Sequence, residues 1–404
     1  MRIVITGMGG ICALGHNASD IWQAMIEGRS GVGPLQRVEQ TRFRNKMIAA
    51  EITGFEPSAY FDDAQLPFLD PLSQYALVAA GEAIRQSGLD FRGECAGRTA
   101  VIIGAGTAGE ETREGLYRKL YGEHSSRFHP LGIVRIMSSA PASQISMAHG
   151  ITGPTFTVSS ACASSNHAFA QAAMMMRAGL VDSAVVGGAE ACLTLGVLLA
   201  WEAMRVLAPD ACRPFSANRR GLVLGEGSAM FVLETLESAQ VRDATVLAEL
   251  AGTGMSADAG DIAAPSDVGA AAAIQAALRD ADMQPDEIDY INAHGTGTVA
   301  NDSTETRAIH RVFGDHAHRL AITSTKPMHG HALGAGGALE MLATIGALRH
   351  GIVPPTLNYL DPDPACDLDY VPHEARHMNV RAALNNSFAF GGLNAVVALR
   401  RAPE

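Results

Sequence analysis

A chain of 404 residues that is 47% hydrophobic and only 18% charged is too apolar for intrinsic disorder and long enough to bury a large core. Its formal charge of −12 excludes the clustered basic surface of a sequence-independent nucleic-acid binder, and an acidic partner would have to meet a local basic patch. With 42 glycines against 5% aromatic residues, tight turns and close helix–sheet packing are favoured over an aromatic-rich β-sandwich.

In chain order, Arg2–Thr6 reads as a strand broken at Gly7, too short for a signal peptide. Ser19–Glu27 reads as a helix with Ser19 or Asp20 near its cap, and Thr99–Gly104 as a second strand. From Ile136 to Met176 there is no Asp, Glu, Lys or Arg. Pro141, Gly150, Gly153 and Pro154 break this run, so it is not a membrane helix. It is expected to be buried on nearly all sides, at the centre of a subunit or across a subunit interface. Within it, the strand Thr155–Val158 leads into a helix over Ala163–Ala178, and the apolar strands Ala184–Gly188 and Ala229–Leu233 follow.

The plan then repeats. Val246–Leu250, Ile288–Asn292, Leu320–Thr323 and Asn394–Leu399 read as strands, and Val268–Asp280, Asp302–Val312 and Leu339–Arg349 as helices. Such alternation predicts α/β layers around buried sheets. Residues 1–243 and 244–404 are the expected halves, the first carrying a nucleophile and the second histidines. The six cysteines, Cys12, Cys95, Cys162, Cys192, Cys212 and Cys366, form no C-x-x-C pair, which fits a reducing cytoplasm.

Four segments carry candidate chemistry. Cys162, in Ser159-Ser160-Ala161-Cys162, stands between a strand and a helix whose N-terminal N–H groups favour a thiolate and an oxyanion. A small buried hydrophobe is its competing reading. In Asn292-Ala293-His294-Gly295-Thr296-Gly297-Thr298, the histidine follows a strand and the two hydroxyls share one side of the loop. Asp302 and Glu305 follow, and a solvated loop with Asp302 capping the next helix is the alternative. Lys326 and His331 stand five apart before a glycine-rich entry into a helix that carries Glu340. His329 and His331 raise a zinc reading, but no third ligand has a suitable spacing, so no metal is expected. Finally, in Asn386–Asn394, Phe388 and Phe390 precede Gly391-Gly392, where a loop can swing an aromatic ring over a pocket, and a buried strand end with a turn is the alternative.

Together these segments resemble the β-ketoacyl-acyl-carrier-protein synthases, the elongating condensing enzymes of type I/II, and the resemblance runs essentially end to end. It includes Val4-Ile5-Thr6-Gly7-Met8-Gly9-Gly10, Arg213-Pro214-Phe215, Gly225-Glu226-Gly227 and Phe390-Gly391-Gly392-Leu393-Asn394. It implies a thiolase-like fold of two duplicated α/β halves in α-β-α-β-α layers. It also implies a cytoplasmic homodimer that works on acyl-carrier protein without a cofactor, the substrates carrying phosphopantetheine. A heterodimer with a related subunit is the alternative, and no nucleic acid or integral membrane contact is expected.

By the same resemblance, Cys162 matches the acyl-accepting nucleophile, His294 and His331 the pair acting on the malonyl group, and Lys326 the lysine behind them. Glu340 matches its anchor, Asp302 and Glu305 structural acids, and Thr296 and Thr298 the pantetheine-binding threonines. Phe390 matches the gate, its N–H sharing an oxyanion hole with that of Cys162, with Phe388 beside it. Arg127 and Arg205 match carrier-docking positions, with Arg118 and Lys119 as helpers. Thr107, Gly132, Met137 and Trp201 fall at acyl-pocket positions. There, losing bulk at residues 107 and 132 opens room for long, unsaturated or bulky chains, unless Met137 or Trp201 repacks into it.

Ala389 and Leu393 depart from the glycine and threonine usual in this pattern, which bears on gating and acyl selectivity. A thiolase would carry a second cysteine near Phe388–Asn394, and a type III synthase a Cys-His-Asn set. A chain-length partner would lack the nucleophile. The pathways left open are primary fatty-acid synthesis, a type II polyketide or polyene route and a nodulation-type specialised one, and the departures favour a specialised relative.

Overall fold

The computed structural model describes residues 1–402, so the last two residues of the expected second half, 403 and 404, lie outside it. Five strands come from the first part of the chain: β1 (Ile3–Cys12), β2 (Thr99–Gly104), β3 (Thr155–Val158), β4 (Ser183–Glu190) and β5 (Gly227–Thr235). Five more follow: β6 (Ala248–Ala257), β7 (Tyr290–Asn292), β8 (Ala321–Thr323), β9 (Ala382–Ala389) and β10 (Leu393–Arg401). They form one ladder in the order β8-β7-β9-β10-β6-β1-β5-β4-β2-β3. Each set of five therefore runs third, second, fourth, fifth, first. The sets join where Ile3–Ile5 pairs antiparallel with Ala248–Leu250. Strand directions repeat too: β2 is parallel to β3 and β4 as β7 is to β8 and β9, while β5 and β10 run antiparallel to their neighbours.

Helices α1 (Ala18–Ile26), α2 (Pro71–Ser87), α3 (Ser164–Arg177), α4 (Asp267–Asp280), α5 (Val299–Phe313) and α6 (Gly336–His350) cover and separate these strands. Both α3 and α6 contact strands of the two sets and one another, forming a central layer. On the outside, α2 packs on β1, β5 and β4, and α4 on β6 and β10, which completes the α-β-α-β-α stack. The fold expected from the sequence is the one observed. Burial explains the composition of α6: every residue from Gly336 to Leu348 is buried, so it shows no polar face. Glycine lets the layers close, since a Cβ on Gly104 of β2 would lie 2.4 Å from the backbone of Ser164 on α3.

Some local expectations are corrected. The cap of α1 is Asn17, whose side chain accepts from the Asp20 N–H, because Ser19 and Asp20 already lie inside the helix. Helix α2 went unread, although Asp70-Pro71 caps its start and Gly88, at φ +65°, its end. Residues Asn386–Ala389 belong to strand β9, which is the strand-end alternative, and only the turn beyond them is free of the ladder. The uncharged run is not buried on nearly all sides in this chain. Helix α3 is central, but Met137 and Met147 are exposed and β3 is a partly buried edge strand. No described helix is long and apolar enough to cross a membrane.

Candidate active site

Cys162 sits in the five-residue turn from β3 to α3. The preceding Ala161 takes φ +49°, a conformation that costs a non-glycine residue energy and must be held by its surroundings. Ser164 holds it: its hydroxyl accepts from the Ser160 N–H at 2.9 Å and donates to the Ala161 carbonyl at 2.6 Å. The Cys162 side chain is buried, and burial pushes its thiol up to about 12 against the downward pull of Lys326. A resting thiolate, expected from the helix terminus, is therefore not the form this site favours. Desolvation outweighs the dipole here.

The second half supplies the partners. His331 Nε2 lies 3.0 Å from Cys162 Sγ. His294 stands beside it, the ring centroids 5.3 Å apart and nearly perpendicular, and the Phe388 ring centroid lies 6.2 Å from that of His294. Lys326 donates to the His294 carbonyl and to Glu340, with Nζ 3.5 Å from His294 Nδ1. Lys326 is 1% exposed and Glu340 fully buried, where burial pushes Glu340 up to about 7 despite its cationic partner. Burial first, and the Lys326 charge second, hold both histidines well below the usual imidazole value. The site thus keeps a thiol, two neutral imidazoles and a single buried cation. His329 faces away, its Nε2 2.9 Å from Thr325 Oγ1.

Carboxylates fix the loops from behind. Glu305 accepts from the N–H groups of His294 and Gly295, both at 2.8 Å, and from the Asn386 amide at 3.1 Å. Asp302 accepts from the N–H groups of Phe215 and Gly297. It does not cap α5; Thr298 does, accepting from the Asn301 N–H. Glu190 was missed by the sequence reading. It is fully buried at the end of β4 and accepts from the N–H groups of Gly106, Thr107 and Gly334 and from the Thr107 hydroxyl. It ties the strand-end turn of the first half to the loop after His331. An acidic residue ending an otherwise apolar strand, Ala184–Glu190, was its only signal.

A cleft of about 220 Å³ reaches Cys162, His294 and His331 past Thr296, Thr298, Phe388 and Phe390. The two threonine hydroxyls lie 3.0 Å apart. Phe390 packs on Trp201 at 5.9 Å, and its turn is anchored by Gly391 N–H to the Ile262 carbonyl and by Asn394 to Asp258. Thr107, Gly132, Met137 and Trp201 do not line this cleft. Thr107 is held by Glu190, Gly132 faces Leu116, and Met137 is exposed. Arg205 lies between Met204 and Val206 of the cleft mouth, exposed and at φ +57°, and shares a groove with Arg44, Lys46 and Arg220. Arg127 and Lys119 are exposed, and Arg118 pairs with Glu114 at 3.0 Å.

Comparison with known proteins places the geometry. Residues 1–239 match the beta-ketoacyl synthase N-terminal domain and 247–360 its C-terminal domain. The chain is 50% identical over 400 residues to nodulation protein E of Rhizobium sp. (strain N33), covering 99% of each. It is 40% identical over 408 residues to 3-oxoacyl-[acyl-carrier-protein] synthase 2 of Coxiella burnetii, covering 99% of this chain and 98% of that one. Its fold superposes on the ishigamide ketosynthase/chain length factor with a TM-score of 0.94 at 36% identity, over 100% of this chain and 99% of the other. The chain belongs to the β-ketoacyl synthases, acyltransferases that perform the condensation of type II fatty-acid and polyketide synthesis.

Proposed function

We propose that the chain condenses a Cys162-bound acyl group with malonyl-acyl-carrier protein, giving β-ketoacyl-acyl-carrier protein and carbon dioxide. The observation that carries this is the Cys162–His331 contact at 3.0 Å, with His294 beside it in a mostly apolar cleft. Cys162 attacks the acyl thioester as its proton passes toward His331. The carrier thiol then leaves with a proton, and the acyl group stays on sulfur. The N–H groups of Cys162 and Phe390 serve as oxyanion donors. The malonyl thioester then enters past Thr296 and Thr298, which hold its pantetheine arm. Neutral His294 and His331 donate to its carbonyl oxygen as the C–C bond to the carboxylate breaks and carbon dioxide departs. The resulting carbanion forms its bond to the Cys162-bound carbonyl, and the thiolate is expelled. Lys326 orients His294 and, with burial, keeps it neutral. No cofactor is required, because decarboxylation drives the step.

We read residues 1–243 and 244–404 as the functional halves, one supplying the nucleophile and the other the histidines. The greater identity to nodulation protein E than to synthase 2 supports a specialised pathway. We assign the acyl pocket for long or unsaturated chains to Thr107, Gly132, Met137 and Trp201, which lie outside the cleft at Cys162, so a second subunit would have to complete it. The partly buried edge strand β3 and exposed Met137 suit a homodimer that closes this pocket, and we place it in the cytoplasm from its scattered free cysteines. Pairing with a chain-length subunit is the second reading, favoured by the name of the ishigamide relative. Basic Arg205 and Arg127 would receive the carrier.

Incubation with acyl-carrier protein should add the acyl mass to Cys162, and malonyl-carrier should then release it as elongated product. A chain that is never acylated and never elongates, alone or with a related subunit, would overturn the assignment. Arg205→Glu should raise KM for carrier-bound acyl groups while sparing a small thioester mimic. An equal effect on both would place Arg205 in folding or gating.

A further inference from the structure

The condensation chemistry leaves one cluster of titratable side chains unused. Residues 310–319, His-Arg-Val-Phe-Gly-Asp-His-Ala-His-Arg, run on from the last turn of α5 with three histidines in nine positions. His310 is on that turn, and the 3₁₀ turn Gly314–Arg319 folds His318 back over it, the ring centroids 5.2 Å apart. The loop after Tyr359 brings Asp367 to the same point, its Oδ1 2.7 Å from His310 Nε2. One ligand atom from each residue lies within 4.8 Å of the others. His316 is turned inward, with Nε2 2.9 Å from the Ile288 carbonyl.

We propose that His310, His318 and Asp367 form a zinc site on the surface of the second half. Two imidazole nitrogens and one carboxylate oxygen match the ligand preference of Zn²⁺, and water can fill the fourth position. Ligand atoms in a tetrahedral zinc site stand about 3.3 Å apart, so bringing the three together takes only small rotations of partly or fully exposed side chains. Asp367 is free to ligate: among the described residues it has no Arg or Lys ion-pair partner, whereas neighbouring Asp267 is held by Arg311 at 2.7 Å. The three ligands come from three chain segments, so the ion would act as a clamp. It would pin the end of α5 to the loop carrying Asp363, which holds Arg219. Arg219 in turn donates to the Thr298 and Val299 carbonyls at the start of α5.

Cys162, His294 and His331 also bring a thiol and two imidazoles together, so the measurement is made in a Cys162→Ala background. Zn²⁺ titrated against a chromogenic chelator should bind at one ion per chain with Kd of about 10 μM or tighter. His318→Ala and Asp367→Asn should each weaken it by about tenfold or more. They should also remove a zinc-dependent rise in Tm of about 2–4 °C. Both side chains are exposed, so neither change should unfold the chain. Zinc-edge anomalous diffraction should place the ion between the three residues. No binding in the Cys162→Ala protein, undiminished binding in both further variants, or an anomalous peak elsewhere would overturn the site.

Discussion

Each half runs from its third strand into a buried central helix, and the chemistry lies in both connections. In the first half only residues 159–163 separate β3 from α3, and the turn closes through the positive φ of Ala161. In the second half residues 324–335 separate β8 from α6, and every one of them is buried. The short connection fixes one atom, the Cys162 sulfur, by backbone strain and the Ser164 hydroxyl. The long one places Lys326, His329 and His331 and lets α6 supply Glu340. Duplicated topology thus provides two equivalent positions facing one another, and connection length decides which holds a nucleophile and which an electrostatic apparatus. The same burial that keeps the thiol protonated keeps the imidazoles neutral.

The division of labour can be broken most severely at the short turn. Cys162→Ala should abolish acyl transfer and condensation yet leave malonyl decarboxylation, because that step belongs to the other connection. Intact-mass analysis and release of labelled carbon dioxide read the two separately, and condensation by this variant would end the assignment. The converse is the next largest effect. His294→Ala or His331→Ala should slow decarboxylation about 100-fold or more, the scale of losing an oxyanion donor, while Cys162 still acylates measurably. Wild-type decarboxylation rates in both variants would show that the histidines of the second half do not carry that step.

A subtler distinction is electrostatic. Because both histidines are held well below the usual value near 6.5, their protonation lies at lower pH. Malonyl decarboxylation should then change by no more than about twofold between pH 7.5 and 5.5, where an ordinary imidazole would lose about tenfold of its neutral form. A tenfold fall over that window would mean that Lys326 and burial do not set the histidine charge. The smallest effect concerns the support of the short turn. Ser164→Ala removes the hydrogen bonds of a fully buried hydroxyl to Ser160, Ala161 and Ala105 and should cost about 1–3 kcal/mol in denaturant unfolding. Acylation of Cys162 should fall more than decarboxylation. Equal losses in the two steps would show that the turn does not position the sulfur alone.

Much of this architecture was readable in residue order. Strands β2 and β3 end where the apolar runs end, and α3 and α4 match their predicted spans to within a residue at each end, because hydrophobic period and turn residues act locally. Because polar residues and the following Gly391-Gly392 suit a loop as well as a strand end, the last residues of strand β9, Asn386-Ser387-Phe388-Ala389, were legible only as one of two alternatives. They are fully paired with β10, and Asn386 is buried against Glu305. Cys162, His294, Lys326 and His331 were named from motifs that resemble a family, and tertiary structure brought Cys162, His294 and His331 to one cleft with Lys326 buried behind them. Glu190 gave almost no signal, since its partners are backbone N–H groups of Gly106, Thr107 and Gly334, which no side-chain pattern records.

What the amino-acid order determined by itself was therefore the alternation of elements, the repeat of the two halves and the identity of the reactive groups, all encoded within a few residues of one another. Tertiary structure decided their charge states and their company. Whether Cys162 rests as thiol or thiolate depends on desolvation by both halves and on a cation from Lys326, contributed by residues far away in the chain. The protonation of His294 and His331 depends on burial first and on the same buried cation second. Local patterns specify backbone conformation because its hydrogen bonds and turns are short-ranged. The electrostatic free energy of a buried group sums over everything packed around it, which exists only once the two halves have closed.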